Sequence, residues 1–242
     1  MTPPSSPTTS PSLAITPPVK PTPIVYPDSD GKPMSDNTLQ YQWIVLFKEN
    51  LEVQFGSDPQ VFIAGDLLWY PVEGHPEIAK APDVLVVFGR PKGYRGSYQQ
   101  WREDDIAPQV VFEILSPNNT RAEMSRKLLF YHQYGVEEYY IYDPQKNDLR
   151  GWIRRDGILD ELDSLQNWQS PRLGIRFDPA ENPLKVYGAD DTPFLSTLER
   201  EQLRQGERQR AEQERQRAEQ ERQRADRLAA KLRELGLDPK IL

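Results

Sequence analysis

Three nearly unbroken apolar, β-branched runs constrain this chain most: VFIAGDLLWY (Val61 to Tyr70), PDVLVVF (Pro82 to Phe88) and QVVFEIL (Gln109 to Leu115). Runs of this kind lack the alternation of a half-exposed strand, so they read as central strands covered on both faces. The covers are visible beside them. Asn37 is placed to cap a helix through Leu39, Trp43, Ile44, Leu46 and Phe47, whose spacing forms a helical stripe. Thr120 and Glu123 have capping-box spacing, and a second helix runs from there to Gly135, a helix-stop residue. EYYIYD (Glu138 to Asp143) reads as a further strand. The order helix, three strands, helix, strand predicts an α/β fold with a mixed β-sheet flanked by helices.

Carboxylates interrupt all three runs: Asp66, Asp83 and Glu113. A buried carboxylate costs several kcal/mol unless it is paired or bound to a metal, roughly as for other buried ions. Each therefore needs a partner. Alternation puts Glu113 on one face with Val111 and Leu115, while Asp83 follows Pro82 at the start of its own strand. If those strands are neighbours, the two acids converge on one cation. Asp66 also reads as an edge residue or the partner of an arginine.

Composition limits what that cation can be. There is no cysteine, which excludes disulfides, Fe–S clusters and thiolate zinc, and His75 and His132 are the only histidines. A metal site must be built from oxygen, which suits Mg²⁺ or Mn²⁺. His75, in PVEGHPE, reads as a surface-loop residue, His132 as a helix residue without a catalytic role, and no Ser-His-Asp arrangement is suggested.

The arrangement APDV, then VVFEILSP, then a helix bearing Lys127 and Tyr131, then GVEEYYIYDP resembles the Uma2 family of restriction endonucleases, a branch of the PD-(D/E)XK nuclease superfamily. The resemblance covers roughly Ser35 to Tyr187. It implies a restriction-endonuclease-like core, Asp83 and Glu113 as metal-binding acids, and DNA as substrate. The superfamily's usual lysine, two residues after the second acid, is replaced here by Leu115. Lys127, matching the lysine that follows the EVxS pattern of Uma2 proteins, is the natural substitute. Its other reading is an ion pair with Glu123, four residues earlier on the same helix. Asp66 could add a further metal ligand, directly or through water.

For DNA contact the sequence offers the loop GRPKGYRGSYQQW, with Arg90, Lys92 and Arg95 among glycines and Tyr94, Tyr98 and Trp101 nearby. Exposed loops commonly carry such residues without binding anything. Arg150, Arg154 and Arg155 read as a solvated hairpin. The formal net charge of −7 argues against a general electrostatic attraction to DNA, so local patches must do the binding.

Outside the domain at residues 35–188 the chain changes character. Residues 1–34 are rich in Pro, Ser and Thr, with ten of the 23 prolines before Met34, and cannot bury enough surface to order themselves; a disordered leader is expected, or a proline-rich ligand for a partner. Residues 189–242 comprise a linker and a long charged helix. AEQERQR recurs at Ala211 and Ala218; heptad position a holds Ala211, Ala218, Ala225 and Leu232, and d holds Glu214, Glu221, Leu228 and Leu235. A solvated single helix and a short coiled coil forming a homodimer both fit, since glutamates occupy two core positions. No membrane span or secretory signal is visible, so a cytoplasmic location is expected. The reading is a metal-dependent DNA endonuclease, restriction or repair type, against a catalytically inactive nuclease-fold protein acting in DNA binding or assembly.

Overall fold

A computed structural model describes residues 23–31 and 33–234; most of the leader and Leu235 lie outside the described residues. Asn37 caps α1 (Thr38–Gln54), its Oδ1 accepting the Gln40 N–H at 2.9 Å. Trp43, Ile44, Phe47 and Leu51 form the buried stripe of this helix. The chain then builds β1 (Val61–Gly65), β2 (Trp69–Tyr70), β3 (Val84–Phe88), β4 (Tyr98–Gln99) and β5 (Val110–Ile114). Thr120 caps α2 (Arg121–Gln133) by accepting the Glu123 N–H, and Gly135 follows at φ 93°, a left-handed geometry that suits glycine. Next come β6 (Glu138–Asp143), β7 (Asp148–Arg155), β8 (Ile158–Glu161), β9 (Arg176–Asp178), β10 (Lys185–Tyr187) and α3 (Thr197–Glu234).

The main sheet has the order β1-β3-β5-β6-β7-β8. Within it β5 and β6 are parallel, joined by the α2 crossover, and the other neighbours are antiparallel. The expected mixed sheet flanked by helices is therefore what forms. Strand alternation divides its side chains between two cores. Val84, Val86, Phe112, Ile114, Tyr140 and Tyr142 pack with α1, where Phe47 stacks on Phe112 at 4.7 Å. Leu85, Val87, Val111, Tyr139 and Ile141 pack on the other face with Tyr131 of α2.

Two departures from the sequence reading are instructive. The run from Val61 to Tyr70 is not one strand: Asp66 sits at φ 48°, which ends β1, and Trp69–Tyr70 pairs instead in parallel with β4. The basic cluster around Arg150 does lie on a hairpin, β7–β8, turned through Asp156 and Gly157, both at positive φ as a two-residue hairpin loop requires. Yet Arg154 is not simply solvated. It donates to the carbonyls of Val136 and His132, tying the hairpin to the end of α2. The 38-residue α3 buries none of its residues, and Glu219 and Arg222 pair at 3.1 Å along it, as their spacing suggests.

Candidate functional site

The three strand carboxylates form one row. Gly65 pairs with Val84 across β1 and β3, and Val84 with Phe112 across β3 and β5. One step further along each register stand Asp66, Asp83 and Glu113, side by side at the ends of three adjacent strands. The positive φ of Asp66 lets its N–H bond the carbonyls of Pro82 (3.1 Å) and Asp83 (3.3 Å), so the row holds although β1 has ended. All three line a cleft of about 790 Å³.

Asp83 and Glu113 are buried, at 8% and 2% exposure, so each carboxylate depends on what surrounds it. Asp83 Oδ2 accepts the Ile114 N–H at 2.6 Å. Glu113 is gripped from α2: Lys127 Nζ donates to Oε2 at 2.6 Å and the Tyr131 hydroxyl to Oε1 at 2.5 Å. The four-residue spacing of Lys127 and Tyr131 puts both on one side of the helix. Lys127 thus reaches Glu113 and not Glu123, whose carboxylate instead faces Asn119 Nδ2 at 3.4 Å. Leu115, two residues after Glu113, packs among the apolar residues between sheet and α2.

The electrostatics follow from burial and crowding. Desolvation, then the neighbouring Glu113 charge, drive the Asp83 carboxyl well above the usual range, against the pull of Lys127 and the Ile114 N–H. Asp66 is raised by burial and by Asp30. Burial works against the Lys127 charge, but Glu113 and Asp83 outweigh it and raise this ammonium above an ordinary lysine. Tyr131 is pushed far above a normal phenol by burial and by Glu113, so it stays a neutral donor.

Among the described residues no group of three or more His, Cys, Asp or Glu side chains is arranged to hold a metal ion. Two adjacent buried carboxylates nevertheless suit Mg²⁺ in donor type and charge, because that ion commonly takes one or two carboxylates and fills its shell with water and substrate phosphate. The like charge that raises Asp83 is the charge a cation would relieve.

The loop cations lie elsewhere. Arg90 and Arg95 are held by Glu103, at 2.9 and 2.6 Å, and Arg90 also pairs with Asp104. The Arg95 guanidinium stacks over Phe62 at 4.0 Å. Lys92 borders a separate depression beside Val61 and Phe62. None of the three lines the cleft of the carboxylates. His75 bonds Glu77 at 2.9 Å on the surface, and His132 Nδ1 lies 3.3 Å from the Leu159 N–H, so neither histidine joins the site.

Sequence reasoning missed the opposite wall. Pro27, Ser29, Asp30 and Met34 line the cleft, although they fall in the stretch assigned to the leader, and Asp36, just inside the domain, lines it beside them. Tyr26 anchors this wall by packing on Tyr70 (5.3 Å) and Trp101 (4.9 Å), and Tyr70 donates to the Pro27 carbonyl at 2.8 Å. Ser116 donates to Asp36 beside the cleft. Tyr26, the one aromatic in residues 1–34 and preceded by Ile24 and Val25, was the available signal.

Fold and site together describe a mixed α/β domain with a row of carboxylates at its strand ends and a lysine delivered from the crossover helix. The profile of the Uma2 family, described as "Putative restriction endonuclease", matches residues 32–176, and the chain belongs to that family. It is similar, with a TM-score of 0.41 and 13% identity, to the crystal structure of "a putative nuclease belonging to DUF820" from Anabaena variabilis ATCC 29413, over 56% of this chain and 72% of that one. No curated protein matches the chain.

Proposed function

We propose that the protein is a metal-dependent endonuclease that hydrolyses phosphodiester bonds of DNA, using Asp83, Glu113 and Lys127. The observation that carries this reading is the contact of Lys127 Nζ with Glu113 Oε2 at 2.6 Å, beside Asp83 in the same cleft. It supports Lys127 as the replacement for the lysine missing at Leu115. Asp83 and Glu113 would hold Mg²⁺ or Mn²⁺, with Asp66 as a further ligand directly or through water. When bound there, the ion supplies Lewis acidity and a more acidic water. Lys127, kept protonated by its carboxylate neighbours, holds positive charge where the attacked phosphate gains negative charge, and orients the attacking water. Asp83 and Glu113 line the cleft together with Arg126 and Lys127 of α2 and with Pro27, Asp30 and Asp36, so substrate would meet these residues on its way to the carboxylates.

The test is cleavage of plasmid and single-stranded DNA in Mg²⁺ or Mn²⁺ by wild type beside Asp83→Ala, Glu113→Ala and Lys127→Ala. Cleavage by wild type alone supports the assignment, and equal cleavage by Asp83→Ala sinks it. A second reading, a non-catalytic DNA-binding or assembly protein, is favoured by one observation: both Glu113 oxygens already carry partners from α2. It predicts DNA binding without cleavage under any metal. Pairing of two copies through α3 is part of the proposal, and sedimentation of the full chain beside a form ending at Gln205 tests it. No described helix is long and apolar enough to cross a membrane.

A further inference from the structure

Glu113 is more constrained than a metal-binding glutamate needs to be for burial alone. A glutamate carboxylate turns about its last bond with little preference, and its two oxygens offer about four lone-pair directions. Here that freedom is removed from both ends. Lys127 takes Oε2, and Tyr131, whose side chain is fully buried, takes Oε1. A lysine on a four-carbon stem is a poor clamp by itself, because the ammonium can follow a moving partner. A tyrosine hydroxyl cannot. Its position is fixed by its ring, and the Tyr131 ring packs edge-on against Tyr139 at 4.9 Å and lies parallel to Trp69 at 6.3 Å. Val111 and Leu85 close the same apolar cluster around it.

We infer that Tyr131 is the positioning residue of the site: its hydroxyl sets the plane of the Glu113 carboxylate so that the unoccupied lone pairs face Asp83 and the cleft. The sequence motif contains this tyrosine without giving it a task. The structure supplies one, through the rigid ring stack behind it and the short hydrogen bond in front. The contrast with Tyr139 sharpens the assignment. That hydroxyl is also buried in the same cluster, yet it has no hydrogen-bond partner among the described residues. The aromatic cluster therefore contains one phenol oriented onto a carboxylate and one that is not.

The inference deepens the nuclease reading and rests on it for its kinetic readout, but not for its binding readout. Mn²⁺ affinity of the metal-free full-length protein is measured by calorimetry for wild type, Tyr131→Phe and Tyr139→Phe, with thermal melting of each and DNA cleavage kinetics in parallel. Tyr131→Phe keeps the ring and loses the hydroxyl. Groups that orient a metal-binding carboxylate are commonly worth about 10- to 100-fold in affinity or activity, so Tyr131→Phe is expected to bind Mn²⁺ about tenfold more weakly. Its kcat should fall by a similar factor with KM for DNA unchanged, while Tyr139→Phe binds Mn²⁺ as wild type does. Unchanged Mn²⁺ affinity in Tyr131→Phe with a lowered melting temperature makes the hydroxyl purely structural and overturns the inference. So does an equal weakening in Tyr139→Phe, which would assign the effect to the ring stack. If wild type binds Mn²⁺ and cleaves nothing, the nuclease reading fails while the two phenylalanine variants still decide the role of Tyr131. If wild type binds no Mn²⁺, the inference falls.

Discussion

Lys127 Nζ lies 2.6 Å from Glu113 Oε2, joining α2 to the end of β5 at the point where Asp83 and Glu113 crowd each other. The pair is nearly dry, with side-chain exposures of 14% and 2%. A buried pair of this kind contributes little net stability against an apolar replacement, but breaking it from one side strands the remaining charge. The contact therefore adds little to the fold, and under the proposed function its task lies in the cleft.

Lys127→Ala is expected to cost about 3 kcal/mol or more, the usual penalty for an uncompensated buried charge, together with cleavage activity. Lys127→Met combined with Glu113→Gln should recover most of the stability and none of the activity. Urea unfolding of the two variants, beside a cleavage assay, checks both halves. A Lys127→Ala variant as stable as wild type would overturn the expected penalty.

Asp83 sets a pH dependence with a definite sign. Its carboxyl titrates well above the ordinary aspartate value because burial, then Glu113, disfavour its charge. The folded state thus holds a proton that the unfolded chain has released, and stability falls as pH rises from the ordinary aspartate value through the raised one. Asp83→Asn, which can still accept the Ile114 N–H, should melt higher than wild type at pH 8, with the gap closing as pH is lowered toward 4. Melting curves across that range decide it. Millimolar Mg²⁺ or Mn²⁺ should raise the melting temperature of wild type at pH 8 and leave that of Asp83→Asn unchanged.

The loop arginines carry a different expectation from the one their sequence suggests. Arg90 and Arg95 both bond Glu103, whose carboxyl is drawn below its usual range first by the Arg95 hydrogen bond. That lowered group stabilises the fold above the unfolded glutamate value and ceases to as pH falls through its own. Arg95→Ala should cost about 1–3 kcal/mol, through a lost charged hydrogen bond and the contact with Phe62. DNA affinity and its salt dependence should not change. Fluorescence anisotropy across a salt series, beside thermal melting, separates the two roles, and a shallower salt slope for Arg95→Ala would restore the loop as a phosphate contact.

What could be read from the chain alone divides along sequence distance. β3, β5, β6 and both helices of the domain were visible because apolar runs and caps are local signals, and a charge inside such a run marks Asp83 and Glu113 at once. The break at Asp66 was missed although Gly65 and Asp66 are both turn-prone, because the apolar residues on either side of them continue the run. β2 and β4 have two residues each and exist only because they pair across 29 residues of chain. The same limit applied at the site. Local spacing offers Lys127 the partner Glu123, whereas its actual partner is 14 residues away through the crossover. Glu103 lies 13 and 8 residues from the arginines it holds, with no local spacing rule to link them.

Tyr26 is where the unexpected cleft wall can be tested. Its ring contacts Tyr70 and Trp101, its hydroxyl oxygen accepts the Gly74 N–H at 2.6 Å, and the Pro27 carbonyl next to it is held by Tyr70. Aromatic pairs contribute about 0.5–1.5 kcal/mol each beyond their burial, so Tyr26→Ala should release the segment at a cost of about 2 kcal/mol without unfolding the sheet behind it. The wall carries Asp30 and Asp36 toward the carboxylate row, and Asp30 helps raise Asp66. Releasing it removes negative charge from the path that a phosphate must take, which should strengthen nucleic-acid binding several-fold at low salt and less at high salt. Limited proteolysis should cut Tyr26→Ala between Pro27 and Asp36 faster than wild type. Faster cutting with unchanged DNA affinity would leave the segment as a structural wall with no influence on access, whereas both changes together identify it as the barrier in front of Asp83 and Glu113.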